Sequence, residues 1–434
     1  MLPTFGRNVI VKVLVQIFFA TLFFSAKGKF HGNQVWRIVP RNDEQLKFLH
    51  QLSSTPHYKV DTWKHPTLVD IPADYHVPVE ELSRFKRSLS SHDISYDVMI
   101  ANVQNLVDDQ YNNEAGSTPA ASGISGFNYS LYHTADEVNG WMDLAQTTYD
   151  YVTKFQIGVT YQGRPIYALK ISKSNLVRPA IYIDALIHCR EWIATGSLLY
   201  VLKELLTNSS YSSLIEDLDW YVVPMINVDG YLYTWDPSGN RLWRQTRSAQ
   251  AILTCFGADA NRNFDDHWSG PGSSEEPCSS LYHGPMAESE SETRHIARFI
   301  SGHNDTIKAV VSLHSYAQVI LYPYNYQLKQ YPPNNNEQNK TAEEMSKAMF
   351  AIHNVSYDYG PGAETLSVST GVTTDWTQAK ADIDINYTIE LRDTGQYGFL
   401  LPPDQIIPTG EELLAGIEVL AKHIIESELS TPSP

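Results

Sequence analysis

His188-Cys189-Arg190-Glu191-Trp192 sets an imidazole and a carboxylate three residues apart. Histidine nitrogen and glutamate oxygen both suit Zn²⁺, and a catalytic zinc takes three protein ligands while keeping a fourth position for water. The pair follows residues 179–187, an Ile- and aromatic-rich run that reads as a buried strand, and precedes an apolar helical stretch at 196–206. Such a junction lies at the carboxyl end of a sheet strand, where open α/β sheets bind ligands. Alone, H-x-x-E is a weak signal, because chance supplies it in many chains. More chemistry follows in order: Arg241-Leu-Trp-Arg244, Asp259-Ala-Asn261-Arg262-Asn263, Ser312-Leu-His314-Ser-Tyr316 and Glu390-Leu-Arg-Asp-Thr394-Gly. Each group borders a strand-like run or a turn, so all can project into one cleft.

The elements that must position these groups alternate along the chain. Core strands are predicted at 181–187, 220–226, 307–313, 319–322 and 385–391, and helices at 196–206, 288–299, 342–352 and 411–425. Helices alternating with buried strands imply a sheet between helical layers. Upstream, a small α/β unit is predicted, with strands at 35–39, 73–78 and 94–100 and helices at 43–52 and 79–89. Leu82, Phe85 and Leu89 fall on one face of the second helix. Residues 111–126 form a low-complexity linker expected to be mobile and exposed, and no Lys or Arg lies between Arg87 and Lys154.

A chain of 434 residues is long enough for two folded units and a processing segment. Its net charge of -17 excludes nucleic-acid binding, since phosphates would be repelled and no basic stripe compensates. The apolar run at 9–24, behind Arg7 and interrupted by Lys12 and Gln16, reads as part of a secretory signal peptide spanning 1–26; an uncleaved anchor is the alternative. No later segment is apolar enough to cross a membrane. Sequons at Asn128, Asn208, Asn304, Asn339, Asn354 and Asn386 are compatible with a secreted glycoprotein, although burial is expected to block Asn386.

The order of a metal pair, an arginine, an Asn-Arg pair, a third histidine and a late glutamate resembles the zinc metallocarboxypeptidases of the pancreatic A/B type. The resemblance runs from about Phe127 to about Glu426 and includes the Tyr397-Gly-Phe399-Leu-Leu-Pro and Gln405-Ile-Ile-Pro-Thr409 segments. It implies a catalytic domain at 127–428 built on a mixed eight-stranded sheet sandwiched between helices. It also implies that residues 31–110 are a ferredoxin-like pro-domain covering the cleft. By resemblance, His188, Glu191 and His314 hold one Zn²⁺, and Asp259 orients the first histidine. Two neutral imidazoles and one carboxylate leave such a zinc net positive, able to acidify a bound water. Glu390 is then the general base for that water, with a carboxylate paired to Arg392 as the bland alternative. Arg244 polarises the scissile carbonyl, while Asn261 and Arg262 bind the terminal carboxylate. Arg190, Tyr316 and Phe399 contact the substrate, and Thr374 lies at the pocket floor. Arg241, Arg247 and Arg294 are expected to be solvated. The resemblance pairs Cys255 with Cys278 in a disulfide and leaves Cys189 as a buried, inert thiol.

Two departures from that family stand out. Ser367 falls where the family carries a mobile tyrosine that closes over substrate, and the linker lacks the usual basic cleavage residue. The implied partners are peptides with a free C-terminus and an activating protease that cuts near Ala115, Ala120, Ala121 or Ile124; the protein is expected to be a monomer. Thr374, with Gly362, Asn325, Ser369 and Thr388 at other pocket positions, implies a neutral pocket for apolar or aromatic C-terminal residues with some tolerance of polar ones. Asp382 and Asp384 could bring charge to its rim. A catalytically impaired protein that binds peptide termini is the competing reading, discriminated by assay of C-terminal release and zinc content.

Overall fold

The computed structural model describes residues 28–54, 59–112, 123–252 and 254–430. The expected signal segment and most of the linker lie outside them. The N-terminal unit runs β1 (Gln34–Ile38), α1 (Asp43–Ser54), β2 (Asp61–Lys64), β3 (Ala73–Val77), α2 (Leu82–Ser90), β4 (Tyr96–Ile100) and α3 (Val103–Asn112). Its strands pair antiparallel in the order β2-β3-β1-β4, the ferredoxin-like arrangement. Phe85 and Leu89 of α2 are buried against Trp36 and Tyr75 in its core.

The larger unit follows: α4 (Ala135–Thr148), β5 (Val152–Val159), β6 (Pro165–Ile171), β7 (Ala180–Ala185), α5 (Trp192–Thr207), α6 (Ser212–Asp217), β8 (Asp219–Val223) and α7 (Val228–Trp235). Then come α8 (Ser291–Ser301), β9 (Ile307–Ser315), β10 (Val319–Tyr322), α9 (Asn335–His353), β11 (Asp358–Pro361), α10 (Gly362–Thr365), α11 (Thr373–Ala379), β12 (Ile385–Leu391) and α12 (Ile406–Ser430). The eight strands form one mixed sheet in the order β11-β10-β12-β9-β7-β8-β6-β5. β8, β7, β9 and β12 run parallel at its centre. Every residue of β7 is buried, as expected for a strand covered on both faces. One face packs on α4, α5 and α12, the other on α8 and α11.

The five predicted core strands are present, three of them with shifted ends. Four further strands, β2, β5, β6 and β11, escape the sequence reading. β5 carries Lys154 and Gln156 and ends the sheet, so its burial is broken rather than continuous. α5 begins at Trp192, four residues before the expected start, with Glu191 as its N-cap. α4 also escapes, despite a capping box in which Thr134 and Glu137 satisfy each other's backbone N–H. Among the described residues no helix is long and apolar enough to cross a membrane.

Candidate active site

The chain leaves β7 and runs directly into His188 and Glu191, while β9 carries His314 near its carboxyl end. β12 pairs parallel with β9 and sets Glu390 beside His314 in register. From β7 the chain steps to β8 on one side and later returns to β9 on the other, the reversal that opens a crevice in such sheets.

Glu191 bridges the two imidazoles. Its Oε1 is 2.9 Å from His188 Nδ1, its Oε2 is 3.1 Å from His314 Nδ1, and the two Nδ1 atoms are 3.1 Å apart. All three residues are buried. Two ring nitrogens this close cannot both carry protons. Unprotonated imidazoles facing a carboxylate are the donor set of a borderline-soft dication, and the cluster fits zinc.

The outer ring nitrogens are held as well. His188 Nε2 lies 2.9 Å from Asp259 Oδ1. His314 Nε2 lies 3.3 Å from Ser312 Oγ, which donates to Asp184 Oδ1 at 2.7 Å. The Ser312–Asp184 pair is missed by sequence reasoning. Its signal is a single carboxylate inside the otherwise uncharged run Ala180–Ala185, and burial pushes it up to about 6. Asp259 Oδ2 also accepts from Arg244 Nε and Nη2 at 3.0 and 2.7 Å, so one carboxylate orients both His188 and Arg244. Burial alone would raise Asp259, but Arg244, then His188 and Arg262, hold it well below the usual carboxylate range.

Glu390 makes no pair with Arg392, whose Nε donates to Glu412 Oε2 at 2.9 Å. Desolvation in the covered cleft pushes the Glu390 carboxyl up to about 7; His314, Arg244 and Arg262 oppose that rise and Glu191 adds to it. Arg262 is held by neutral acceptors: Gly272 O at 2.8 Å, Asn261 O at 2.7 Å and Ser369 Oγ at 3.1 Å. Asn261 Oδ1 accepts from Thr373 N and Oγ1, both at 2.9 Å, which leaves its Nδ2 for the cleft.

One cavity gathers His188, Glu191, His314, Glu390, Arg244, Asn261, Arg262, Tyr316 and Phe399, together with Leu321, Asn325, Ser367, Ser369, Val372, Thr374 and Thr388. Asp382 and Asp384 are not among its walls, which corrects the expectation of a charged rim; Asp384 O instead accepts from Asn334. Gly362 does not form the wall either. Asn325 Oδ1 occupies the space a Cβ at Gly362 would need.

The N-terminal unit fills the mouth. Trp63, Lys64, His65 and Thr67 line the same cavity. Asp61 Oδ2 accepts from Arg190 Nη1 at 2.7 Å, and Arg190 lies over the Phe399 ring at 4.1 Å. Asp74 accepts from the Tyr316 hydroxyl at 2.8 Å and from Arg37 twice at 2.7 Å. Trp63 meets the Phe399 ring edge-on at 5.0 Å, so three of the groups expected to meet substrate are engaged by this unit.

Arg241 corrects another expectation. It is buried, stacks on Trp192 at 3.7 Å, and donates to Gln110 Oε1, Arg190 O and Phe399 O. Arg247 lies over the rings of Tyr233 and Trp243, and Arg294 donates to Glu288 O and Ser289 O, so neither is simply solvated. Cys189 is buried, its thiol raised far above its ordinary value by burial. Cys255 and Cys278 are disulfide-bonded. Asn386 is fully buried, with Oδ1 accepting from Thr377 Oγ1 and Nδ2 donating to Ile383 O.

Fold and site together define a metal-dependent α/β enzyme made with a cleft-covering N-terminal domain. A family model described as zinc carboxypeptidase matches residues 138–416, and one described as carboxypeptidase activation peptide matches residues 36–110. The chain belongs to the zinc carboxypeptidase family and is a metallocarboxypeptidase with an activation peptide. It is 35% identical to carboxypeptidase B of Rattus norvegicus, covering 95% of this chain and 99% of the relative. It is 38% identical to carboxypeptidase A1 of Bos taurus, with 94% and 98% covered. The crystal structure of thrombin activatable fibrinolysis inhibitor is 34% identical and superposes with a TM-score of 0.83 over 92% of this chain and 100% of that one. Carboxypeptidase A from Helicoverpa armigera superposes with a TM-score of 0.84 at 26% identity, over 93% and 100%. These matches do not favour the reading of a non-catalytic binding protein.

Proposed function

We propose that this chain is a secreted pro-enzyme whose processed form removes single neutral amino acids from free peptide C-termini. The observation that carries the reading is the convergence of a dication site, a carboxylate and two arginines on one cavity. Secretion rests on the apolar segment at 9–24 and the sequons. The unit at 31–110 serves as the inhibitory domain and the unit at 127–428 as the catalytic one.

In this reading Arg262 and the Asn261 amide bind the terminal carboxylate, because a guanidinium matches it bidentately. Zinc held by His188, Glu191 and His314 supplies a Lewis acid that brings the pKa of water toward 7. Glu390 takes the proton of the attacking water and later delivers one to the leaving amine, worth roughly 10²–10⁴-fold in rate. Arg244, fixed by Asp259, donates to the carbonyl oxygen as it gains charge; such a donor is worth about 3–4 kcal/mol. Arg190, Tyr316 and Phe399 hold the peptide on the far side of the scissile bond, and Thr374 sets a neutral pocket floor. Asp61 and Asp74 withhold Arg190 and Tyr316 until the inhibitory unit is released.

The test compares peptides that differ only in a free or amidated C-terminus, using protein of measured zinc content before and after cleavage in the linker. Free termini should be trimmed one residue at a time, only after cleavage, and amidated ones spared. Equal turnover of the two peptides contradicts the exopeptidase assignment.

A further inference from the structure

We infer that the floor of the side-chain pocket is built to hold a neutral carboxamide, so that among neutral residues C-terminal glutamine and asparagine are preferred over their apolar and anionic isosteres. The inference rests on the carboxypeptidase reading and deepens it.

Asp375, 1% exposed, lies behind the floor. Its Oδ1 accepts from Asn325 Nδ2 at 2.8 Å and from Asn325 N at 3.0 Å, while Oδ2 accepts from Asn325 N at 2.8 Å and Tyr326 N at 3.0 Å. The second Nδ2 proton points at Thr374 Oγ1, 3.3 Å away. Burial pushes the Asp375 carboxyl up to about 7, yet both its oxygens already accept from backbone N–H groups, so it presents an acceptor to the Asn325 amide and fixes which way that amide faces. Nδ2 is turned inward, and Oδ1 accepts no hydrogen bond among the described residues. The amide sits there because residue 362 is glycine: a Cβ at Gly362 would lie 1.7 Å from Asn325 Oδ1. Thr374 Oγ1, accepting from Asn325, keeps its own proton to donate.

The floor thus sets one oriented acceptor beside one oriented donor, and a primary carboxamide presents the complementary pair. Leu321 and Val372 provide apolar wall for the methylene groups above. A carboxylate in the same place would oppose Asn325 Oδ1 lone pair to lone pair. Arg262, a cation of the same wall, is assigned to the terminal carboxylate. Apolar isosteres fit sterically but leave the acceptor and donor dry and unpaired, an asymmetry worth about ten-fold or more.

The experiment uses the zinc-loaded enzyme released from its precursor and peptides identical except for a C-terminal Gln, Met, Glu, Asn, Leu or Phe. kcat/KM should favour Gln over Met and over Glu by about ten-fold or more, and Asn over Leu likewise. Thr374→Val, which keeps the shape and removes the donor, should narrow the Gln-to-Met ratio at least about three-fold, and Thr374→Ser should retain the ratio. The same peptides are titrated calorimetrically against Glu390→Gln. Met, Leu or Phe matching the amides in both turnover and binding overturns the carboxamide assignment and leaves the carboxypeptidase reading intact. Tighter binding of the Gln peptide with no residue released by the wild type overturns the proposed activity alone.

Discussion

At the metal end of the cleft the two histidines and Arg244 are each locked by a second residue: His188 by Asp259, His314 through Ser312 and Asp184, Arg244 by Asp259 again. At the recognition end the groups that hold the cation are neutral. Arg262 rests on two backbone carbonyls and a serine hydroxyl, and the pocket walls carry amide, hydroxyl and aliphatic groups. Buried charge must be paired or neutralised, which explains the interlocking at the metal end. A substrate that arrives with its own carboxylate explains why Arg262 has no anionic partner among the described residues. The two ends should therefore fail differently, abruptly at the metal and gradually in the pocket.

The largest effect is expected from replacing His188, Glu191 or His314 by Ala. Each should reduce bound zinc well below one equivalent and bring turnover to background, measured by metal analysis and peptide release; retained zinc with full activity would break the assignment of that ligand. Arg262→Ala should lower kcat/KM on the order of 100-fold, mainly through KM, from the loss of charge-assisted hydrogen bonds. A loss confined to kcat would move Arg262 to the chemical end of the comparison.

The inhibitory unit spans both ends, and its grip can be loosened at either. Breaking the Asp61–Arg190 pair, in which the arginine side chain is 2% exposed, should weaken docking on the order of 30-fold. The readout is activity of uncut Asp61→Ala precursor against a small substrate, and unchanged latency would show that the pair contributes little. A smaller effect is expected from acid. Desolvation, then Arg244, Arg262 and Arg190, push His65 down to about 3, below its ordinary value near 6.5, so the docked state favours the neutral imidazole. Docking is strongest above about pH 6.5 and is lost progressively as pH falls toward 3; about ten-fold weakening between pH 7.5 and 5.5 follows from linkage. Dissociation of the nicked inhibitory unit, followed by Trp fluorescence, should show this slope, and His65→Gln should flatten it.

The metal end was readable because coordination limits residue types and spacing: His188, Glu191 and His314 stand in recognisable groups, and the resemblance to the carboxypeptidases supplied their roles and that of Asp259. The rest depends on contacts between distant segments. Nothing near residue 241 announces that Arg241 is buried on Trp192, because the acceptors come from Gln110, Arg190 and Phe399. The engagement of Arg190 and Tyr316 by Asp61 and Asp74 is likewise invisible, since two separately folded units must dock to create it. β2 and β11 are four residues each, too short to show a period. Asp382 and Asp384 share a loop with Ile383, which faces the core, and proximity in sequence to Glu390 does not bring them to the pocket.

The central claim is that Glu390 performs the proton transfers while three other residues hold the metal. Glu390→Gln keeps the size and removes the basicity, so the decisive measurement is zinc stoichiometry and C-terminal release for that variant after linker cleavage. The account predicts one zinc per chain and a rate reduced by about 10²-fold or more. A variant that trims peptides near the wild-type rate, or one that loses its zinc, would contradict it.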